Sequence, residues 1–237
     1  MKKIIYFALT ITLALSFLIL IIKKSIFTKS GYVTVKGSAE RVVKADMVYW
    51  TITFVNAGNN LSTLKSKNSS DLKAIIDFLK ENNFRDNEYE INPIELIDMD
   101  AREYRDLNQT NRYIMTQSIS IITKNVDLVS ITSQKLDSLI DKNISLKCGY
   151  GEMRPVYKFT KLNSIKQEML KEATINAKKA AEQFAKDSKT KVGKIKYANQ
   201  GLFNITPKNK STSYGGDESF EKDKEVRVVI TIDYWLK

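Results

Sequence analysis

EATINAKKAAEQFA, running from Glu172 to Ala185, is the stretch on which the reading of this chain turns. Ala173, Ala177, Ala181 and Ala185 recur every fourth residue, and a helix of 3.6 residues per turn brings such positions onto one face. Side chains this small let a helix backbone lie close against a sheet. Alanine is also the best helix former, so the ladder alone fits a merely stable helix as well as a packed one. The helical pattern extends to both sides, from about Lys161 to Ser188. Its apolar stripe comprises Leu162, Ile165, Met169, Ala173, Ala177, Ala180, Ala181, Phe184 and Ala185. Lys166, Lys171, Lys178, Lys179 and Lys186 fall largely off that stripe, as on a solvated face.

Working outward, Met47 to Val55 alternates with period two. Val48, Trp50, Ile52 and Phe54 point one way; Tyr49, Thr51 and Thr53 point the other. This is a half-buried strand. Gly31 to Val43 precedes it as a pairing strand in which Gly37 predicts a bulge or bend. Leu61, Leu64, Leu72, Ile75, Ile76 and Leu79 then recur at helical spacing up to Asn82-Asn83. Glu90 to Met99 reads as a strand with Pro93 at an edge or bulge, and Tyr113 to Thr123 as another. Asn125 or Asp127 caps a helix carrying Val129, Leu136, Leu139 and Ile140. Strands follow from Ile144 and near Ile195–Tyr197. Asn204 to Lys224 is a long polar loop. Val226, Val228, Ile230, Ile232 and Tyr234 share a face of the closing strand. Locally paired strands interrupted by helices predict an α+β fold, its mostly antiparallel sheets packed by two to three helices. Trp50, Tyr49, Trp235 and Tyr234 are expected in the core or at an interface.

Ile4 to Ile22 is a run of 19 uncharged residues between Lys2-Lys3 and Lys23-Lys24. As a helix it spans about 28 Å, close to the thickness of a bilayer's hydrocarbon. A secretory signal has a shorter apolar region and a small-residue cleavage site, and neither is present. Residues 1–30 are therefore expected to form a membrane anchor and linker, with residues 31–237 as the folded body. Lysines on both sides leave the orientation undecided by charge.

The net charge is +11, of which five lysines (Lys2, Lys3, Lys23, Lys24 and Lys29) lie in the first 30 residues, leaving +6 for the body. A modest surplus suits an anionic partner or a membrane surface, and equally a lysine-rich solvated surface. Histidine is absent and Cys148 stands alone. These facts exclude His-dependent acid–base and nucleophile systems and an intramolecular disulfide. Cys148, within the strand from Ile144 to Tyr150, reads as a buried, inert thiol.

Other patterns carry little chemistry. Ser62–Lys65 and Ser188–Lys191 have the spacing of serine acyl-enzymes but lack the companion motifs. Asp98, Asp100, Glu103 and Asp106 lack the glycine and bidentate glutamate of a calcium loop, and the intervening Arg102 and Arg105 make it a self-paired turn. Gly149-x-Gly151 is too short for a dinucleotide fingerprint. The lysines are not interleaved with exposed aromatics in a nucleic-acid module. No catalytic, cofactor-binding or metal-ligating residue is assigned, and no cofactor or nucleic-acid partner is expected.

The stretch Glu172–Ala185, followed by Val192-Gly193-Lys194, resembles the signature helix of the SIMPL family. VTVKGSAERVVKADMVYW, which contains Gly37 and Asp46, is similar to that family's first strand pair. The strand from Tyr113 to Ile121, the helix beginning at Val126-Asp127 and the terminal strand Val226–Leu236 keep the family's order. Ala45 stands where a proline is common, Ala39 where a second glycine is frequent, and Arg112 where glycine is usual. The resemblance implies an exported envelope protein with no established catalytic chemistry, associated with stress defence. It places the body in the periplasm, anchored in the inner membrane through residues 4–22. Binding or self-assembly is the expected mode, with a homo-oligomer or an envelope protein as partner. The alternatives are an envelope hydrolase or transferase using Asp, Glu and Lys, and a cytoplasm-facing adaptor.

Overall fold

The computed structural model describes Ser16 and residues 31–102, 110–147, 153–208 and 220–237. Apart from Ser16, the apolar run 4–22 lies outside the described residues, as do Cys148, Gly149-x-Gly151, Glu103, Arg105, Asp106 and positions 209–219. Among the described residues no helix is long and apolar enough to cross a membrane.

The elements follow in chain order: β1 (Tyr32–Lys44), β2 (Met47–Gly58), α1 (Leu61–Glu81), β3 (Tyr89–Ile91), β4 (Glu95–Asp98), β5 (Tyr113–Thr123), α2 (Val126–Thr132), α3 (Asp137–Asp141), β6 (Val156–Lys158), α4 (Leu162–Asp187), β7 (Val192–Gln200), β8 (Asn204–Pro207) and β9 (Asp223–Leu236). They fall into two compact units, each assembled from separate stretches of chain. The smaller comprises residues 31–39, 168–203 and 228–237; the larger comprises 40–167 and 204–227. The fold is α+β with antiparallel sheets, as the sequence predicts.

In the larger unit, β2 and β5 pair along their whole length, from Val48 opposite Thr123 to Gly58 opposite Tyr113. β3 and β4 pair with the far side of β5, and β6 with the far side of β2. Val48, Trp50, Ile52 and Phe54 are all at most 1% exposed, so the period-two reading holds. α1 starts at Asn60, whose side chain accepts from the Thr63 N–H at 3.1 Å, as an N-cap should. It stops at Asn82, and Asn83 follows in the left-handed region at φ 67°, where asparagine is tolerated. Ile75, Phe78 and Leu79 join Trp50, Ile52, Phe54, Ile119 and Ile121 in one core. Each such side chain contributes roughly 1.5–3 kcal/mol on burial.

In the smaller unit, α4 is seated by β1 and β9. Met169, Ala173, Ala177 and Ala181 are fully buried and Ala185 nearly so. Val35, Val228, Ile230, Ile232 and Tyr234 are buried in the same unit. A Cβ on Gly37 would stand 2.1 Å from the Ala173 carbonyl oxygen and 2.5 Å from the Ala177 nitrogen. Gly37 sits inside a continuous strand, and it is glycine because a helix backbone rests on it.

Several elements differ from expectation. The helix predicted from Asn125 through Ile140 is broken into α2, a 3-10 turn at Ser133–Lys135, and α3. Ser133 and Ser138 donate their hydroxyls to the Ser130 and Lys135 carbonyls, competition that weakens helix interiors. The strand expected from Ile144 is reduced, in the described part, to a bridge between Leu146 and Phe54. Glu90 to Met99 is two short strands separated around Pro93, which cannot donate to a ladder. The polar stretch from Asn204 opens with β8, paired with β9. Phe184 is 60% exposed rather than part of the stripe. An i+4 ladder drifts around the helix, so by Ala185 the buried line lies about 100° from Phe184.

Candidate functional site

The patterns weighed in the sequence are mostly used structurally. Asp98 is gripped by Arg112 through Nε at 3.1 Å and Nη2 at 2.9 Å, and it also accepts from the Asp100 N–H. That guanidinium holds the Asp98 carboxyl below the usual carboxylate range. The partner is thus Arg112, across the β4–β5 pair. Ser188 donates its hydroxyl to the Phe184 carbonyl at the end of α4, while Ser62 lies exposed in the first turn of α1. Neither serine is paired with the lysine three residues on among the described hydrogen bonds. No group of three or more Asp, Glu, His or Cys side chains able to hold a metal occurs among the described residues.

Asp46, in the turn between β1 and β2, accepts from the Thr160 N–H at 2.6 Å and the Thr160 hydroxyl at 3.0 Å. It anchors the chain just before α4. Tyr89 donates to Asp86 at 2.6 Å, and burial first, then this carboxylate, push its hydroxyl up to about 12.

One buried constellation escaped the sequence reading. On the helix-facing side of the sheet in the larger unit, the apolar rows are interrupted by Asn56 on β2 and Gln117 on β5, with Met115 buried beyond Gln117. α1 answers with Asn68 and Asp71 at positions of its buried stripe. All four are at most 9% exposed. The direction of this chain of bonds is fixed from one end. The Asn92 carbonyl accepts from Gln117 Nε2 at 3.0 Å, so Gln117 must present Oε1 to Asn68 Nδ2, at 2.7 Å. Asn68 Oδ1 is then left buried without a partner. Asp71 takes the Asn56 amide at 2.9 Å on one oxygen and the Lys67 ammonium on the other. Both carboxylate oxygens are therefore committed to internal partners. The signal for this cluster was present in the sequence: polar residues at i, i+3 inside an apolar helical stripe, and on the apolar faces of two strands.

The smaller unit presents a different surface. β7 is the edge of the β1-β9-β7 sheet and pairs with β9 from Val192 to Gln200. Every residue from Lys194 to Gln200 is exposed, including Ile195 (53%) and Tyr197 (56%). The register shifts around Ile195 and again before Tyr197. Ile195 therefore lies beside Tyr234, on the α4 side, and Tyr197 beside Asp233, on the outer side. On that outer side Tyr32 meets Trp235 edge-on with ring centroids 6.2 Å apart. Lys196 Nζ lies 3.3 Å from the Tyr32 ring centroid and 5.0 Å from that of Trp235. Tyr234, by contrast, is core, as is Trp50, whose indole donates to the Met153 carbonyl.

No curated protein matches the chain at a significant level. A solved structure described as an uncharacterized conserved protein from Listeria innocua is similar over 81% of this chain and 91% of that one, at 10% identity and a TM-score of 0.21. At that score it carries no argument. The SIMPL family pattern, described as a protein of unknown function (DUF541), matches residues 33–234 and so runs through both units. With the alanine ladder seated on Gly37 and the strand order in place, the chain belongs to the SIMPL family.

Proposed function

We propose that this SIMPL protein is held in the inner membrane through residues 4–22, with its body in the periplasm, and acts by binding or self-assembly rather than by catalysis. The observation that carries the reading is β7, a nine-residue edge strand exposed along almost its whole length. An edge of this kind presents unpaired backbone groups to another chain, and Ile195 and Tyr197 add apolar side chains on either side of it. A second copy of the protein is the simplest occupant, since identical edges pair in closed symmetric assemblies. A part in envelope stress defence belongs to the same reading and rests on the family likeness alone.

Light scattering after size-exclusion chromatography of the detergent-solubilised full chain tests the assembly. The expected mass exceeds one copy and falls to one copy in the double variant Ile195→Lys, Tyr197→Lys. A single-copy mass for the unaltered chain at micromolar concentration overturns it. A phosphatase reporter at the C-terminal end tests the orientation, and activity of that reporter only in the cytoplasm overturns the periplasmic placement. Turnover of ester, glycoside or phosphate substrates, abolished by replacing one carboxylate, would overturn the non-catalytic reading.

A further inference from the structure

We infer that the outer face formed by Tyr32, Lys196 and Trp235 is a docking surface for an anionic bilayer, resting flat on lipid headgroups. The inference depends on the anchor reading above. Three observations lead to it. The first is composition. Aromatic rings with a polar edge, interleaved with lysine, are the side chains that favour the headgroup region. Here a tyrosine, a tryptophan and a lysine are stacked on one another in the open, with Tyr32 51% and Trp235 36% exposed. A core residue would have been covered, and a purely solvated face would not carry both rings.

The second observation is charge. Lys191 and Lys237 exchange backbone hydrogen bonds at 2.9 Å in both directions, and Leu236 donates to the Gly31 carbonyl at 2.8 Å. These bonds gather the start of β1, the start of β7 and the end of β9 at one end of the sheet. Lys191, Lys194, Lys196 and Lys237 are all exposed there. Asp233, on the same face, accepts from the Thr34 hydroxyl at 2.8 Å and keeps its charge, one negative group against the four lysines. The surface therefore complements phosphate headgroups.

The third observation is reach. Tyr32 follows the apolar run 4–22 by ten residues, so the tether is at most about 35 Å even when fully drawn out. A tether this short holds the face at high effective concentration beside the bilayer, where weak individual contacts suffice.

The chain has two tryptophans, Trp50 and Trp235, and Trp50 is 1% exposed. This allows a direct test on the full chain. The protein is reconstituted into vesicles of phosphatidylcholine, with or without phosphatidylglycerol, that carry lipids brominated near the headgroup. Emission is compared between the unaltered chain and Trp235→Phe, the difference reporting Trp235. Its emission is expected to be quenched at least twofold more in the anionic vesicles, and that excess to vanish in the double variant Lys194→Glu, Lys196→Glu. Equal quenching in the unaltered chain and Trp235→Phe overturns the inference. So does a Trp235 signal that follows the protein-to-lipid ratio and ignores phosphatidylglycerol, which would assign the face to a second copy. Flotation after an alkaline carbonate wash separates the two readings. Protein that floats without Trp235 quenching leaves the anchor standing and removes the docking face; protein that does not float removes both.

Discussion

The protein lays a helix on a sheet twice, by opposite means. In the larger unit, α1 stands off from β2 and β5 on large side chains, and Ile75, Phe78 and Leu79 fill the space against Trp50, Ile52, Phe54, Ile119 and Ile121. In the smaller unit, α4 has almost nothing between its backbone and β1, because alanines face Gly37. The first interface is stabilised by apolar volume, the second by close approach. A large-side-chain interface can relax around a change, since its members repack. A backbone-on-backbone contact cannot, because no rotamer is available to yield.

The sharpest way to break this contrast is Gly37→Val. It drives a side chain into the Ala173 carbonyl, and the expected loss is above about 3 kcal/mol, beyond ordinary overpacking and a large share of typical domain stability. Chemical denaturation followed by Trp235 emission reads it, and an unchanged midpoint would show that α4 can lift away. Leu79→Ala, its counterpart in α1, leaves a hole instead of a clash. It should cost about 3 kcal/mol, read by Trp50 emission.

The polar end of the α1 interface sharpens the comparison further. Asn68→Ala strips the donor from buried Gln117 Oε1 and should cost about 1–3 kcal/mol, the desolvation penalty of an orphaned acceptor. Asn68→Leu with Gln117→Leu removes both members and the unpartnered Asn68 Oδ1, and takes the Gln117 donor from the carbonyl of half-buried Asn92. It should unfold within about 1 kcal/mol of the unaltered protein. If the double change costs more than the single one, the cluster has a binding partner or a role in register that the apolar pair cannot fill.

The smallest effect is electrostatic. Lys44 above all, with Lys222 behind it at 3.7 Å, holds the Asp127 carboxyl below its ordinary value of 3.8. A carboxyl whose folded pKa is depressed contributes stability above its unfolded value and loses that contribution as pH falls through the folded one. Asp127→Asn should therefore flatten the stability profile slightly below pH 3.8 and leave its shape near neutrality unchanged. Because this carboxylate is exposed, solvent screening keeps the effect small. A profile in Asp127→Asn as steep as the original would show that other carboxylates carry the acid sensitivity.

Both helices and the long strands were legible in the residues, because period two in Val48–Phe54 and Val226–Tyr234 and the i+4 ladder in α4 are local signals. Gly37 was not. A glycine that bends a strand and a glycine that lies beneath a helix look alike until the helix arrives from far along the chain. The break between α2 and α3 was missed because apolar spacing hid the pull of Ser133 and Ser138 on nearby carbonyls. The polar cluster was legible in principle, since Asn68 and Asp71 interrupt an apolar stripe, but polar residues on a helix are read by default as solvent-facing. The exposed face of Tyr32, Lys196 and Trp235 depends on three strands brought side by side, which no local pattern announces.

The place of β9 between β1 and β7 governs when the smaller unit can come into being. A growing polypeptide emerges from the ribosome in order, and the strand that joins the other two is made after both of them. Until residues 223–236 have been synthesised, β1 and β7 have no shared neighbour and the alanine helix has only half a floor. The smaller unit therefore closes only as synthesis ends, whereas the core of the larger unit, drawn from residues 45–157, is already complete in sequence by then.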